Sequence, residues 1–299
     1  MKKILVAGEH SYIGTSFKNY MLDYPDEYSV DMKNTRNWHP TPEDFEGYDV
    51  VLNTAGIAHR RETAENRHLY YEVNRDLAIN MAKAAKECGI TQFVQLSTMS
   101  VYGMREGYIT KTTNVKPTSA YGKSKAEADE AIKALADGTF LFACLRPPMV
   151  YGKGCKGNYQ LLRKLVLKSP VFPAFKNQRS MIYIDNLCIF IKWVIDSKGD
   201  GIFLPQNDEY VCTSRMAELI AENSGKKILL TKFFNGLLSR MNNTPIKKIF
   251  GNLTYERFPN TLYKQYSFEE SMRMTESSYS PKVVSARKIG ILNRTKNNL

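Results

Sequence analysis

Residues 2–14 read KKILVAGEHSYIG, and this stretch decides the fold. Ile4–Ala7 is a short apolar run that stops at Gly8. A polar turn follows, and Tyr12–Gly14 opens a segment with helical spacing. A short continuous apolar run closed by glycine reads as a buried strand. In that order, Gly8 suits a tight turn and Gly14 suits close packing of helix on sheet. The N–H groups at a helix start favour an anion, so this turn is built for the pyrophosphate of a dinucleotide. The spacing is that of GxxGxxG with Ser11 at the middle position, which puts a small Cβ where the cofactor backbone passes.

Outward from this turn the first half of the chain alternates strand and helix. YSVD is a short second strand ending in Asp31, and DVVLNTAG is a third, buried strand. YYEVNRDLAINMAKAAKECG has helical period and stops at Gly89. TQFVQLST is a fourth strand, residues 119–136 a helix capped by Ser119, and TFLFACLR a fifth strand. Apolar strands alternating with helices imply an α/β fold, a Rossmann-type doubly wound parallel sheet. From about residue 151 the regularity fades. The expected division is a dinucleotide-binding domain at 1–150 with 179–196 returning to it. Residues 151–178 and 197–285 then form a smaller mixed C-terminal substrate-binding lobe, and 286–299 a tail.

Composition bounds the function. The chain has 299 residues, 43% hydrophobic and 24% charged, which is ordinary globular material. No window approaches the ~18 apolar residues of a membrane span, and the apolar run behind the basic start is too short for a signal peptide. Five cysteines stand singly, with no metal or disulfide spacing, as suits a reducing cytoplasm. The net charge of +12 is concentrated late: residues 226–299 hold 14 Lys/Arg against 4 Asp/Glu. No nucleic-acid-binding motif accompanies it. A phosphorylated ligand or an anionic membrane face are the remaining attractions.

Two sets of residues carry chemistry. At the cofactor end, Asp31 at a strand end can accept both ribose hydroxyls of NAD, while Arg36 close by keeps NADP open. Asn53–Gly56 (NTAG) ends the third strand with small residues that let a nucleotide approach. At the catalytic end, Thr98 closes the fourth strand, where open parallel sheets place their active sites. Tyr121 and Lys125 are four apart on the following helix, hence on one face. A phenol near pKa 10 is a poor base at neutral pH; moving it to ~7 takes ~4 kcal/mol. Lys125 and the positive charge of an oxidised nicotinamide are expected to supply that, so that Tyr121 exchanges a proton with a sugar hydroxyl while Thr98 holds the carbonyl oxygen.

The motifs GEHSYIG, DVVLNTAG, YEVNRD, STMSVYG, YGKSK, LRPPMVYGKG and RSMIYIDNL occur in the order of the extended short-chain dehydrogenase/reductase family. The chain resembles its nucleotide-sugar epimerase and dehydratase branch, over residues 4 to about 230. The resemblance implies that Gly8, Ser11, Tyr12, Ile13 and Gly14 wrap the pyrophosphate and Asp31 meets the adenosine ribose. It places Ala55, Gly56, Asn74 and Ser97 along the cofactor and Pro147 against the nicotinamide. Thr98, Tyr121 and Lys125 become the catalytic set. Asn158 and Arg179 fall where the family contacts its substrate's nucleotide diphosphate, with His59, Tyr102 and Tyr151 lining the pocket. Met149 stands where four-epimerases carry Asn, and a thioether cannot replace an amide's hydrogen bonds. Met99 and Ser100 replace the Asp-Glu of the dehydratases, which excludes that chemistry. Asp44 is the candidate for the carboxylate that meets adenine. The implied activity is NAD(P)-dependent epimerisation at carbon 4 of a nucleotide-diphosphate sugar, for cell-surface polysaccharide precursors. The alternatives are a 4-keto-sugar reductase and a non-catalytic dinucleotide sensor. The family also implies a homodimer through the 119–136 helix.

Overall fold

A computed structural model describes residues 1–58, 60–233, 235–236, 249–257 and 265–277. His59 and the expected tail at 286–299 lie outside the described residues. Twelve strands and eight α-helices are labelled in chain order. The central sheet is built from β1(Lys2–Ala7), β2(Tyr28–Lys33), β3(Val50–Asn53), β4(Gln92–Leu96), β6(Leu141–Leu145) and β10(Gly201–Phe203). Its order is β10-β6-β4-β3-β1-β2, all parallel. Strand residues alternate between two cores. Ile4, Val6, Leu52, Val94 and Leu145 face a layer that includes Phe17 of α1(Tyr12–Met21) and Leu187 of α6(Ile184–Asp196). Leu5, Val51, Phe93 and Cys144 face Met81 of α3(Leu77–Glu87) and Ile132 of α4(Ala120–Lys133). Burial on both faces is why these strands are apolar throughout.

The chain changes direction at β1, with β2 on one side and β3 on the other, so the switch point lies at the carboxyl ends of β1 and β3. Both glycines of the opening turn answer to one neighbour. A Cβ on Gly8 would come within 2.8 Å of Thr54 Oγ1, and one on Gly14 within 2.6 Å of the same atom. Gly8 also has φ +111°, which a side chain disfavours.

Two expectations are corrected here. The second strand ends at Lys33, not Asp31: Ala7 pairs with Lys33, whose carbonyl accepts the N–H groups of Gly8 (3.0 Å) and Glu9 (3.1 Å). The apolar-polar pattern of YSVD was too short to mark where pairing stops. The returning segment also runs past residue 196, because β10 joins β6 at the edge of the main sheet.

The remainder forms smaller parallel ribbons: β7(Met149–Tyr151) with β9(Met181–Tyr183), β8(Val171–Pro173) with β11(Leu229–Thr231), and β5(Gly107–Ile109) with β12(Leu253–Tyr255). They carry α5(Asn158–Lys168), α7(Thr213–Asn223) and α8(Phe268–Ser277). The short α2(Arg67–Tyr71) runs into α3 through a π-helical turn at Glu72–Asp76.

Candidate active site

The cofactor side begins at Ser11. Its hydroxyl caps α1 by accepting the N–H of Gly14 at 3.3 Å. The hydroxyl is therefore turned onto its own helix. Asn53 lies at the end of β3 but is fully enclosed. It donates to Gln95 Oε1 at 2.8 Å and accepts from the Ala55 N–H at 3.0 Å. Asn74 sits in the π-helical turn; it accepts from the Ile57 N–H (2.8 Å) and donates to the Ile57 carbonyl (3.2 Å) and Ser124 Oγ (3.3 Å). Both asparagines thus fix the 53–57 loop and do not reach toward a ligand. Gly56 is exposed between them, and a Cβ there would meet Asn74 Oδ1 at 3.0 Å and Lys125 Nζ at 3.3 Å. The gap above Lys125 is open because residue 56 has no side chain, which fits a nucleotide lying across the strand ends.

Asp31 projects from β2 two residues before its end and accepts the Tyr48 hydroxyl at 3.0 Å. The residue at the strand end is Lys33. Its ammonium pairs with Asp44 at 2.7 Å and lies 5.0 Å from the Trp38 ring centre. Asp44 also accepts from Trp38 Nε1 and from the Thr41 N–H, each at 3.0 Å. Asp44 is thus committed to this cluster, which argues against its expected contact with adenine.

On the catalytic side, Thr98 lies two residues past the end of β4 and caps the following turn by accepting the Ser100 N–H at 3.1 Å. Its hydroxyl lies near the Tyr121 phenol and acts to lower that phenol's pKa. Ser119 places Tyr121 by capping α4 through the Gly122 N–H at 3.1 Å, and Glu62 accepts the Ala120 N–H at 2.9 Å. The Tyr70 ring meets Tyr121 edge-on at 6.5 Å. Met99 N–H donates to the Pro147 carbonyl at 3.0 Å, which ties the Thr98 turn to the end of β6.

Lys125 does not act on the phenol as expected. Its ammonium donates to the carbonyls of Leu96 (2.8 Å) and Ala55 (3.3 Å) beneath Gly56. Burial lowers it to about 8, against the opposing pull of Asp129. Burial raises the Tyr121 pKa; the Thr98 hydrogen bond works against this, and Asp129 and Tyr70 add to it. The protein alone therefore holds Tyr121 as a protonated phenol.

Behind the pair lies a group the sequence reading missed. Asp129, one turn beyond Lys125, is 2% exposed and Arg146 is 3% exposed. Arg146 Nε and Nη2 each reach Asp129 Oδ2 at 3.2 Å, and Ser97 Oγ donates to the same oxygen at 2.7 Å. Ser97 thus points into this pair and away from any cofactor. Tyr102 is likewise removed from the pocket: it is buried, accepts from Arg146 Nη1 at 3.2 Å and packs on Tyr255. Tyr151 is enclosed, bonded to Ser271 (2.6 Å) and Asn207 (2.9 Å). The spacing Tyr121, Lys125, Asp129 on one helix face was the signal for Asp129.

Of the substrate candidates, Met149 is half-buried in β7, and Asn158 is exposed as the first residue of α5. Arg179 donates to the Gly251 carbonyl at 2.8 Å. Its pKa falls to about 10 through burial, with Glu106 opposing.

The profile of the NAD dependent epimerase/dehydratase family matches residues 4–204. The chain belongs to this family. It is 35% identical over 185 residues to a UDP-glucose 4-epimerase of Vibrio cholerae, covering 58% of this chain and 56% of that protein. It is 29% identical over 160 residues to an N-acetyl-alpha-D-glucosaminyl-diphospho-ditrans,octacis-undecaprenol 4-epimerase of Escherichia coli O157:H7, covering 52% and 48%. These alignments span about half the length of each relative. The UDP-glucuronic acid 4-epimerase of Bacillus cereus, solved with NAD, has the same fold: TM-score 0.74 over 92% of this chain and 98% of that one, at 17% identity. The family is one of NAD-dependent epimerases and dehydratases, and Thr98, Tyr121 and Lys125 lie at the carboxyl edge of the sheet, where open parallel sheets carry chemistry.

Proposed function

We propose that the protein is an NAD(P)-dependent epimerase acting at carbon 4 of a nucleotide-diphosphate sugar through a transient 4-keto sugar. The observation that carries this reading is the gathering of Thr98 and the Tyr121 phenol at the carboxyl edge of the sheet, with the Lys125 ammonium held beneath Gly56. The bound nicotinamide supplies the hydride acceptor and donor. Tyr121 takes the proton of the carbon-4 hydroxyl and returns it after the sugar turns. Thr98 orients the phenol and the developing carbonyl oxygen. Lys125 adds positive charge below the ribose, and Gly56 lets the nucleotide reach it. Because the protein alone raises the Tyr121 pKa, the phenolate needs the oxidised nicotinamide's charge more than it needs Lys125. Arg179 suits the substrate's diphosphate, since a desolvated guanidinium gains most from phosphate oxygens.

The reductase is the second reading, and Lys33 favours it. An ammonium at the end of β2, where NAD enzymes place a carboxylate, suits a 2′-phosphate and so a cofactor exchanged each turnover. Denaturing the purified protein and measuring released nucleotide separates the two. About one NAD per chain supports the epimerase; empty protein that reduces a 4-keto sugar with NADPH overturns it. A homodimer in the cytoplasm completes the proposal. The outer face of α4 offers Lys123, Glu127 and Glu130, so pairing through that helix would be polar.

A further inference from the structure

The outer stripe of α5 has no part in the chemistry above. Tyr159, Leu162 and Val166 face the core, while Leu161 and Leu165 are 61% and 46% exposed. Lys164 and Lys168 are exposed between and beyond them, giving Leu-Lys-Leu-Lys at i, i+3, i+4 and i+7 on one face. The segment that abuts the end of this helix repeats the pattern. Lys226 Nζ donates to the carbonyls of Val166 (3.0 Å), Leu167 (2.7 Å) and Ser169 (2.9 Å). That clamp leads into β11, where Leu229 is 64% exposed, and on to Phe233 at 85%. Large apolar side chains this exposed, set among lysines, mark an interaction surface.

Charge selects the occupant. Residues 153–184 hold seven Lys/Arg and no Asp or Glu, and residues 224–255 hold six and none. These two segments are joined by the β8–β11 pairing and the Lys226 clamp. A second copy seated here through a two-fold axis would set like charge on like charge. Nucleic acid would leave the leucine and phenylalanine tips without a role. An anionic bilayer takes both: apolar tips enter the headgroup boundary and lysines meet lipid phosphates. We propose that α5 and the 226–233 segment dock this protein peripherally on an anionic membrane surface. Among the described residues no helix is long and apolar enough to cross one. The loop before α5 packs beside the dinucleotide turn, since a Cβ on Gly152 would lie 2.9 Å from Tyr12 Oη. The inference does not depend on which sugar the cleft accepts.

Flotation of the full chain with phosphatidylcholine vesicles, with and without phosphatidylglycerol, tests it. Phosphatidylglycerol is expected to raise the bound fraction at least ~10-fold at low salt, and ~0.5 M salt to reverse this. The double variant Leu161→Ser with Leu165→Ser, and separately Lys164→Ala with Lys168→Ala, should each lose ~10-fold. Both should keep the wild-type thermal midpoint, because all four side chains are exposed. Equal recovery on both vesicle types overturns the proposal. So does a leucine variant that floats like the wild type, which would mean adsorption by charge alone. A wild-type dimer that the leucine change converts to monomer in sedimentation would also overturn it, in favour of a second copy.

Discussion

Tyr121 is held in place by Tyr70 and the Ser119 cap, with Thr98 beside its phenol, so its chemistry depends on position more than on Lys125. Tyr121→Phe is expected to lower turnover by at least ~10²-fold while cofactor affinity, read by calorimetry, stays within about threefold. Unchanged turnover would remove the tyrosine from the mechanism. Thr98→Val takes away the hydrogen bond that opposes the burial shift, so the alkaline rise in rate should move to higher pH. A profile that does not move would deny Thr98 that role. Lys125 gives a stability test with a definite sign. Its folded pKa, about 8, lies below the ordinary lysine value of ~10.4, so between those values the unfolded chain binds more protons. Stability contributed by this group therefore rises with pH through that window, by up to ~3 kcal/mol. Denaturant unfolding at the two ends of the window should show this rise in the wild type and not in Lys125→Met. Parallel behaviour would mean Lys125 is not desolvated. That Tyr121 and Lys125 share one face of a helix was legible in the sequence, because four-residue spacing fixes it. The direction of the Tyr121 shift was not, since it depends on burial and on Asp129.

Among the elements, β2 and α4 decide most. Residues 34–49 form only a loop and a 3₁₀ turn at Pro42–Phe45, and among the described residues no strand lies outside β2. The edge of the sheet is instead covered by the Lys33, Trp38 and Asp44 cluster. Lys33→Ala should lower NADP affinity about tenfold and leave NAD affinity unchanged, measured by thermal shift over a nucleotide titration. Equal loss for both would show that Lys33 does not reach the 2′ position. Four-residue strands and their partners leave too few side chains to mark a register, which is why Asp31 read as a strand end. On α4, the Asp129–Arg146 pair joins the helix to the end of β6. Arg146→Met would leave a buried carboxylate unpaired and is expected to cost ~3–5 kcal/mol in denaturant unfolding. A cost under ~1 kcal/mol would mean that solvent reaches the pair.

At the scale of the whole molecule, the sheet brings residues from positions 8, 56, 98, 121 and 125 to one edge. Smaller parallel ribbons accompany this sheet. Arg179 shows how those ribbons are tied together: its backbone pairs with both Val211 and Leu253. The basic charge that composition showed only as an excess is concentrated in two segments that the fold joins at β8 and β11. Sequence position could not reveal that juxtaposition, because residues 153–184 and 224–255 are far apart in the chain and meet through the β8–β11 pairing, the Lys226 clamp and the Arg179–Leu253 bridge.

The sequence by itself determined the parallel sheet, the dinucleotide turn and the Thr98, Tyr121 and Lys125 set. Each rests on local spacing: apolar runs for strands, glycines at a turn, four residues for one helix face. The tertiary structure alone decided that Asn53, Asn74, Ser97 and Tyr102 support the site from behind, that Lys33 takes the place read for Asp31, and that Asp129 faces Arg146. Those outcomes depend on what each side chain meets across the fold, and hydrogen-bond partners 17 to 50 residues away leave no periodic trace in the chain.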